Sequence, residues 1–264
     1  MKAILSALAL LIVGLMAGLV GLLIVRGAPS LSLSFLLGQP RLAGEEGGIL
    51  PVIIATGYLV GGALLLALPL GVGTALYLQE YAPDGRLLAA LRSLIEALSG
   101  VPSVIFGLFG FGLFVIRLDW GWSLASGCCT LALMVLPTMI RTAEEALYAV
   151  PGLLREGAAA LGATRWETIR RVALPQAAPG ILTGAILALG RALGETAAVL
   201  LTAGSNLHLP ASVWDTGRSL AVHLYILGTE GLSEGRAYAT ALVLVIGVAA
   251  VNLTANLLLA RWRA

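Results

Sequence analysis

The sequence predicts an all-α integral membrane protein with six transmembrane helices, and three observations carry that prediction. Hydrophobic residues fill 59% of its 264 positions and charged residues only 11%, too few to give a water-facing surface on all sides. Six apolar runs reach the roughly 20 residues a helix needs to cross a bilayer core. The charge between them is gathered into a few short segments. Barrel strands in an outer membrane alternate apolar and polar residues, and these long even runs do not.

The runs lie at about 3–25, 50–78, 98–116, 122–140, 176–203 and 238–260. The first follows Met1 and Lys2. It is longer than the apolar core of a secretory signal and no clear small-residue cleavage site follows it, so it reads as a retained span. Gly14 and Gly18 in the first run, Gly57 and Gly61 in the second, and the pairs Gly180/Gly184 and Gly190/Gly194 in the fifth have the spacing that lets helix backbones approach closely. Packing is their expected role. Pro51 opens the second run, where proline is tolerated, whereas Pro69 falls within it and is expected to kink or break it.

A turn from Glu80 to Arg86 then leads into an interfacial helix over 86–97, with Leu87, Leu88, Leu91, Leu94 and Ile95 along one side. Cys128 and Cys129 sit side by side in the fourth run with no partner at metal-ligand spacing, and read as packing residues. His208 and His223, in the outer segment 204–236, read as isolated surface groups. The apolar stretch 220–227 in that segment is too short to span, and fits either a surface-lying helix or a partner contact.

With the N-terminus inside, the inner segments hold Lys2, Arg86, Arg92, Arg141, Arg155, Arg165, Arg170, Arg171, Arg261 and Arg263. The outer ones hold Arg26, Arg41, Arg117, Arg218 and Arg236. The bias places both termini, and the segment 141–175, in the cytoplasm. Lys2 is the one lysine of the chain, so no glycine-rich loop here supplies a phosphate-gripping lysine. A net charge of +2 gives no reason to expect nucleic acid.

Residues 141–175 read RTAEEALYAVPGLLREGAAALGATRWETIRRVALP, two short helices joined by a turn. Pro151 opens the first helix, Gly162 stands where a left-handed C-cap is wanted, and Thr164 with Glu167 forms a capping box for the second. Leu154, Leu161, Trp166, Ile169 and Val172 lie among the charges. A charged helix pair carrying apolar residues on the basic side of a membrane protein is suited to dock on a soluble partner. The alternative is a basic loop held by anionic lipid.

The fifth run contains Gly-Arg-Ala-Leu-Gly-Glu-Thr over 190–196. A charge at mid-membrane costs about 2.5–3.5 kcal/mol on insertion scales, so the pair needs a reason. Arg191 and Glu195, one turn apart, neutralise each other on one reading, although their order is the weaker one for a helical pair. On the other reading Gly184, Ala188, Arg191, Glu195, Ala198 and Thr202 form the polar wall of a translocation path. Leu182, Ile186, Leu189, Leu193 and Leu200 then face away. Arg191 would offer a forked donor set to an oxyanion. Glu195 would hold it in place, or accept a hydrogen bond from a protonated oxyanion and so favour phosphate over sulfate.

Glu156, Gly157 and Ala158, then Gly162, then Val172, Leu174 and Pro175 resemble the EAA loop of ABC-importer permeases, with matching spacing and two departures, Gly157 for Ala and Val172 for Ile. Residues 47–60, 68–83, 101–111, 143–151 and 190–196 are similar to the PstA family of phosphate-importer permeases. The sister PstC family shares the EAA loop, the VPSV-type segment and a similar GRAxGET sequence. The short N-terminus, the GGILP entry and the EYAP turn favour PstA, while Ala198, where PstA usually has proline, is closer to the PstC pattern.

The resemblance implies one transmembrane permease domain over 1–264, of the type I ABC-importer architecture, with a first span at 3–25, a core at 50–260 and a coupling loop at 141–180. It implies coupling helices formed by Glu156, Gly157, Ala158, Gly162, Thr164, Val172, Leu174 and Pro175, while the polar-wall reading of the fifth run puts the substrate path at Arg191, Glu195 and Thr196. It also implies a PstC partner, a PstB-type ATPase dimer that binds the ATP, an extracytoplasmic phosphate-binding protein, and no cofactor or metal on this chain. The rivals are a permease for sulfate, molybdate or phosphonate, and a stand-alone channel or secondary transporter. A membrane-embedded enzyme is disfavoured, because no cluster of His, Cys or carboxylate sits at catalytic spacing in the spans.

Overall fold

The computed structural model describes residues 2–263, without the side chains of residues 2–3, 256 and 258–263. Lys2, Arg261 and Arg263, counted above among the inner cations, therefore lie outside the described side chains. The chain is almost wholly helical. Its helices are α1 (Lys2–Gly27), α2 (Leu33–Leu37), α3 (Leu50–Leu76), α4 (Arg86–Ser99), α5 (Ser103–Gly110), α6 (Leu124–Tyr148), α7 (Gly152–Ala160), α8 (Arg165–Thr168), α9 (Leu174–Leu193), α10 (Ala197–Thr202), α11 (Leu220–Thr229) and α12 (Glu234–Arg263). Two-residue strands β1 (Pro40–Arg41) and β2 (Glu46–Gly47) make a small antiparallel hairpin.

Five continuous helical runs are long and apolar enough to cross a membrane: Ile4–Ser30, Leu50–Tyr81, Leu124–Tyr148, Arg165–Leu193 and Glu234–Ala255. A bent pair brings the candidate spans to six: α4 and the run Ser103–Arg117 meet at 99°. Residues 98 and 99, expected in the third span, therefore belong to α4. Pro102, which cannot donate a helical hydrogen bond, stands at the N-cap of α5 where the chain turns. The fourth span runs on to Tyr148 rather than 140, carrying Arg141, Glu144 and Glu145 on its last turns. Pro69 is held inside one continuous helix and does not break it.

The core joins α3, α6 and α9 through Leu59, Ala63, Leu131, Val135, Met139 and Ala188. Glycine lets the backbones approach: a Cβ on Gly71 would stand 2.8 Å from Met139 Cβ, and one on Gly184 would collide with the Thr142 hydroxyl. Gly180 packs likewise on Ala146. Among the described residues the other spaced glycines make no such approach: Gly14, Gly18, Gly57, Gly61 and Gly190 have nothing within 4 Å of an added Cβ, and Gly194 only its own helix turn. Helix α1 lies against α12 with its side chains otherwise open. Cys128 packs on Gly62 and donates to the Tyr58 carbonyl.

At the end of the bundle where α3 begins, the connecting segments fold into a cap. Phe35, Ile49, Val52, Leu220 and Ala239 form its apolar centre. Helix α11 is buried there at Leu220, Ala221, Val222, His223, Ile226 and Leu227, so it is an interior helix, not a surface-lying one. Its first turn is satisfied by the Ser219 cap and by Thr56 of α3, whose hydroxyl accepts the Leu220 N–H at 2.9 Å. The surface reading of His223 is likewise overturned: it is 1% exposed, and Arg218 Nη1 donates to its Nδ1 at 3.3 Å. Burial, then the charges of Arg218 and Arg236, pushes its pKa down to about 4. Arg218 and Arg236 also donate to the Ser205 and Gly47 carbonyls, tying distant loops together.

Candidate coupling surface and translocation path

At the opposite end of α3 the helix pair projects from the bundle, to which Arg155 and Arg165 tie it. Helix α7 buries none of its residues, and Leu153, Leu161 and Trp166 are 79%, 91% and 57% exposed. Its C-terminus closes as the sequence predicts. Gly162 has φ +83°, its N–H donates to the Ala159 carbonyl, and the Ala163 N–H donates to the Ala158 carbonyl, a Schellman arrangement. Thr164 Oγ1 accepts the Glu167 N–H and Glu167 accepts the Thr164 N–H at 2.9 Å, completing the capping box that starts α8. Pro151 sits at the N-cap, one position before the helix it was expected to open.

Glu156 is exposed and makes no ion pair among the described residues. Gly157 has open space where a Cβ would stand, so its departure from alanine is not forced by packing. Ala158 and Val172 are half-buried. Ile169 is 1% exposed and belongs to the bundle, not to the presented surface. From α8 the chain passes through a π-helical turn, Ile169–Ala173, into α9, with Leu174 packed inward and Pro175 directly after the turn.

The fifth span does not run unbroken to 203. Helix α9 ends at Leu193, and Gly194 to Thr196 are non-helical before α10. Glu195 is therefore not one helical turn from Arg191, and no ion pair joins them among the described residues. Glu195 Oε1 instead accepts the Ala198 N–H at 3.3 Å, satisfying a donor that the break exposes. A proline at 198 could not make that bond. Arg191, half-buried, donates to the Thr138 hydroxyl of α6 at 3.5 Å. Thr138 was not anticipated; its signal was a hydroxyl within an apolar span.

The polar wall is likewise shorter than its helical periodicity implied. Gly184, Ala188, Ala198 and Thr202 are buried against neighbouring helices, and Gly107 of α5 packs directly on Ala198. What remains accessible is Arg191, Glu195 and Thr196, grouped about the break. Interrupted helices persist at membrane depth only where the loosened backbone is held by protein or lines a cavity.

Membrane-crossing helices, a self-capped helix pair projecting from one end and a span interrupted beside a half-buried guanidinium are features of a multi-pass membrane transport component. The chain belongs to the family of binding-protein-dependent transport system inner membrane components, which it matches over residues 67–264.

It is 36% identical to the probable ABC transporter permease protein YqgI of Bacillus subtilis, covering 94% of this chain and 90% of that one. It is 35% identical to the phosphate transport system permease protein PstA of Haemophilus influenzae over 89% of this chain and 84% of the relative. Among solved structures, a bacterial ABC transporter that imports alginate superposes with a TM-score of 0.70 at 18% identity, over 98% of this chain and 94% of that one. The inward-facing MetNI methionine transporter gives 0.68 at 19% identity, over 81% and 95%.

Proposed function

We propose that this chain is the PstA-type permease of an ATP-driven phosphate importer. It pairs with a PstC-type sister permease, two PstB-type ATPase subunits and an extracytoplasmic phosphate-binding protein. Both termini and the α7–α8 pair face the cytoplasm, and ATP is bound by the partner, with no cofactor on this chain. The observation that carries this reading is the exposed, self-capped pair α7–α8 with the EAA-type residues Glu156 to Pro175 on it. Closure of the ATPase subunits would move the pair, and the bundle would alternate between outward-open and inward-open states.

Arg191 and Glu195 at the break are the proposed contact for cargo, with Thr196 beside them. A guanidinium that, among the described residues, bonds to one hydroxyl keeps donors for an oxyanion. The second oxygen of Glu195 would accept a hydrogen bond from the P–OH of HPO₄²⁻, a donor that sulfate lacks. The place of Ala198 keeps a PstC-type role as a second reading. In the reconstituted complex, excess sulfate should leave phosphate uptake unchanged, and Arg191→Ala should cut uptake by about 100-fold while the complex still assembles. Inhibition by sulfate would assign another oxyanion. Wild-type uptake by both Arg191→Ala and Glu195→Gln would remove the path from this site.

A further inference from the structure

Helix α3 continues past Leu76 as a π-helical turn, Tyr77–Tyr81, closed by the Ala82 N–H donating to the Tyr77 carbonyl at 2.8 Å. Cations from both members of the helix pair converge on this turn. Arg155 of α7 brings Nη2 to 2.9 Å from Glu80 Oε1, with the two side chains only 25% and 12% exposed. Arg165, at the start of α8, lies over the Tyr81 ring at 4.9 Å from its centre. Arg155 Nη2 also donates to the Leu147 carbonyl at 2.8 Å, on the last turn of α6. The ends of α3 and α6, the two helices that share most of the core, are thus both held by one side chain of α7.

The Glu80 contact is incomplete. The charges are paired, yet among the described residues Glu80 Oε1 and Arg155 Nε find no partner with hydrogen-bond geometry. A small shift of α7 along the turn offers the two-pronged guanidinium–carboxylate arrangement that supplies it. A π-helical turn is a weak helical form, and one side of this one borders an open groove of about 670 Å³ lined by Gln79, Glu80, Arg92 and Arg165, which leaves room for that shift. The other ion pairs at this end, Arg92 with Glu144 and Arg141 with Glu96 and Glu145, involve α4 and α6 and no residue of the pair.

We propose that the turn Tyr77–Tyr81 is the receiver through which α7 and α8 drive α3, with Glu80 and Tyr81 as positioning residues for coupling; this rests on the reading that the helix pair docks on an ATPase. Motion of α7 reaches α3 through Glu80 and α6 through Leu147. From α6 it reaches Arg191 through Thr138.

The test uses the whole complex in liposomes and reads phosphate imported per ATP hydrolysed. Glu80→Gln and Arg155→Met should each keep the ATPase bound and hydrolysing while lowering that ratio about 10-fold, and the double variant should be no worse than either single one. Tyr81→Phe, which keeps the ring face, should match the unaltered chain, whereas Tyr81→Leu should lower the ratio about fivefold. A ratio within about twofold of the unaltered complex for both Glu80→Gln and Tyr81→Leu overturns the proposal. So do effects of Glu80→Gln and Arg155→Met that multiply in the double variant. Should Arg155→Met fail to assemble, Glu80→Gln and Tyr81→Leu decide the matter. Absence of ATPase from the unaltered purified complex would instead overturn the permease reading itself.

Discussion

The helix pair and the interrupted span with its cap are stabilised in opposite ways. Between Ala158 and Glu167 the bonds that end α7 and start α8 all join residues within five positions of each other. The cap and the break add to their local bonds others across the chain: Arg191 to Thr138, 53 residues away, Leu220 to Thr56, 164 away, and Arg236 to Gly47, 189 away. A surface offered to a partner keeps its shape before the partner arrives. The proposed path is held by contacts between distant segments, which a change of state would exchange.

The largest expected departure tests the long-range half. The imidazole of the unfolded chain titrates near 6.5 and that of folded His223 near 4, so the unfolded state takes up the proton first. Stability is full above pH 6.5 and falls as pH drops from there to 4, by up to about 3 kcal/mol at the lower end. Trp120, Trp122 and Trp214 report on this end, Trp120 packing on both Phe114 and Trp214. Denaturation followed by tryptophan fluorescence should show the loss, and His223→Gln should flatten it relative to the unaltered chain. An equal acid dependence in that variant would place the sensitivity elsewhere.

The local half is tested by Gly162→Arg, whose side chain meets open space but a left-handed backbone that costs about 1–2 kcal/mol. The joint should re-aim, and uptake should fall about 10-fold with ATP hydrolysis retained. Gly162→Asn, which tolerates that backbone, should retain most uptake. A smaller effect is expected of Thr164→Ala. Loss of the capping box should cost about 1 kcal/mol, read as a lower unfolding midpoint and a modest fall in ATPase affinity. No change in either would mean that the pair is shaped by its partner and not by its own caps.

The same contrast explains what the sequence could show. Gly162, Thr164 and Glu167 are legible because a turn's chemistry lies within its own few residues. The amphipathic α4 was legible from its leucines, although these divide: Leu88 and Ile95 pack inward while Leu87, Leu91 and Leu94 stay exposed. Arg191 and Glu195 were found as charges in an apolar run, but their relation was misjudged, because periodicity presumes a continuous helix and Gly194 ends it. His223 was misplaced because burial among Arg218, Gly44 and Arg236 depends on segments far apart in the chain. The π-helical turn at Tyr77–Tyr81 left no sequence mark beyond a charged turn.

The most direct measurement is phosphate uptake into liposomes holding this chain and its sister permease, supplied with loaded binding protein, with and without the ATPase subunits. The account predicts uptake only when the ATPase and ATP are both present, and its abolition when α7–α8 is replaced by a flexible linker. Equal uptake by the permeases alone would contradict it.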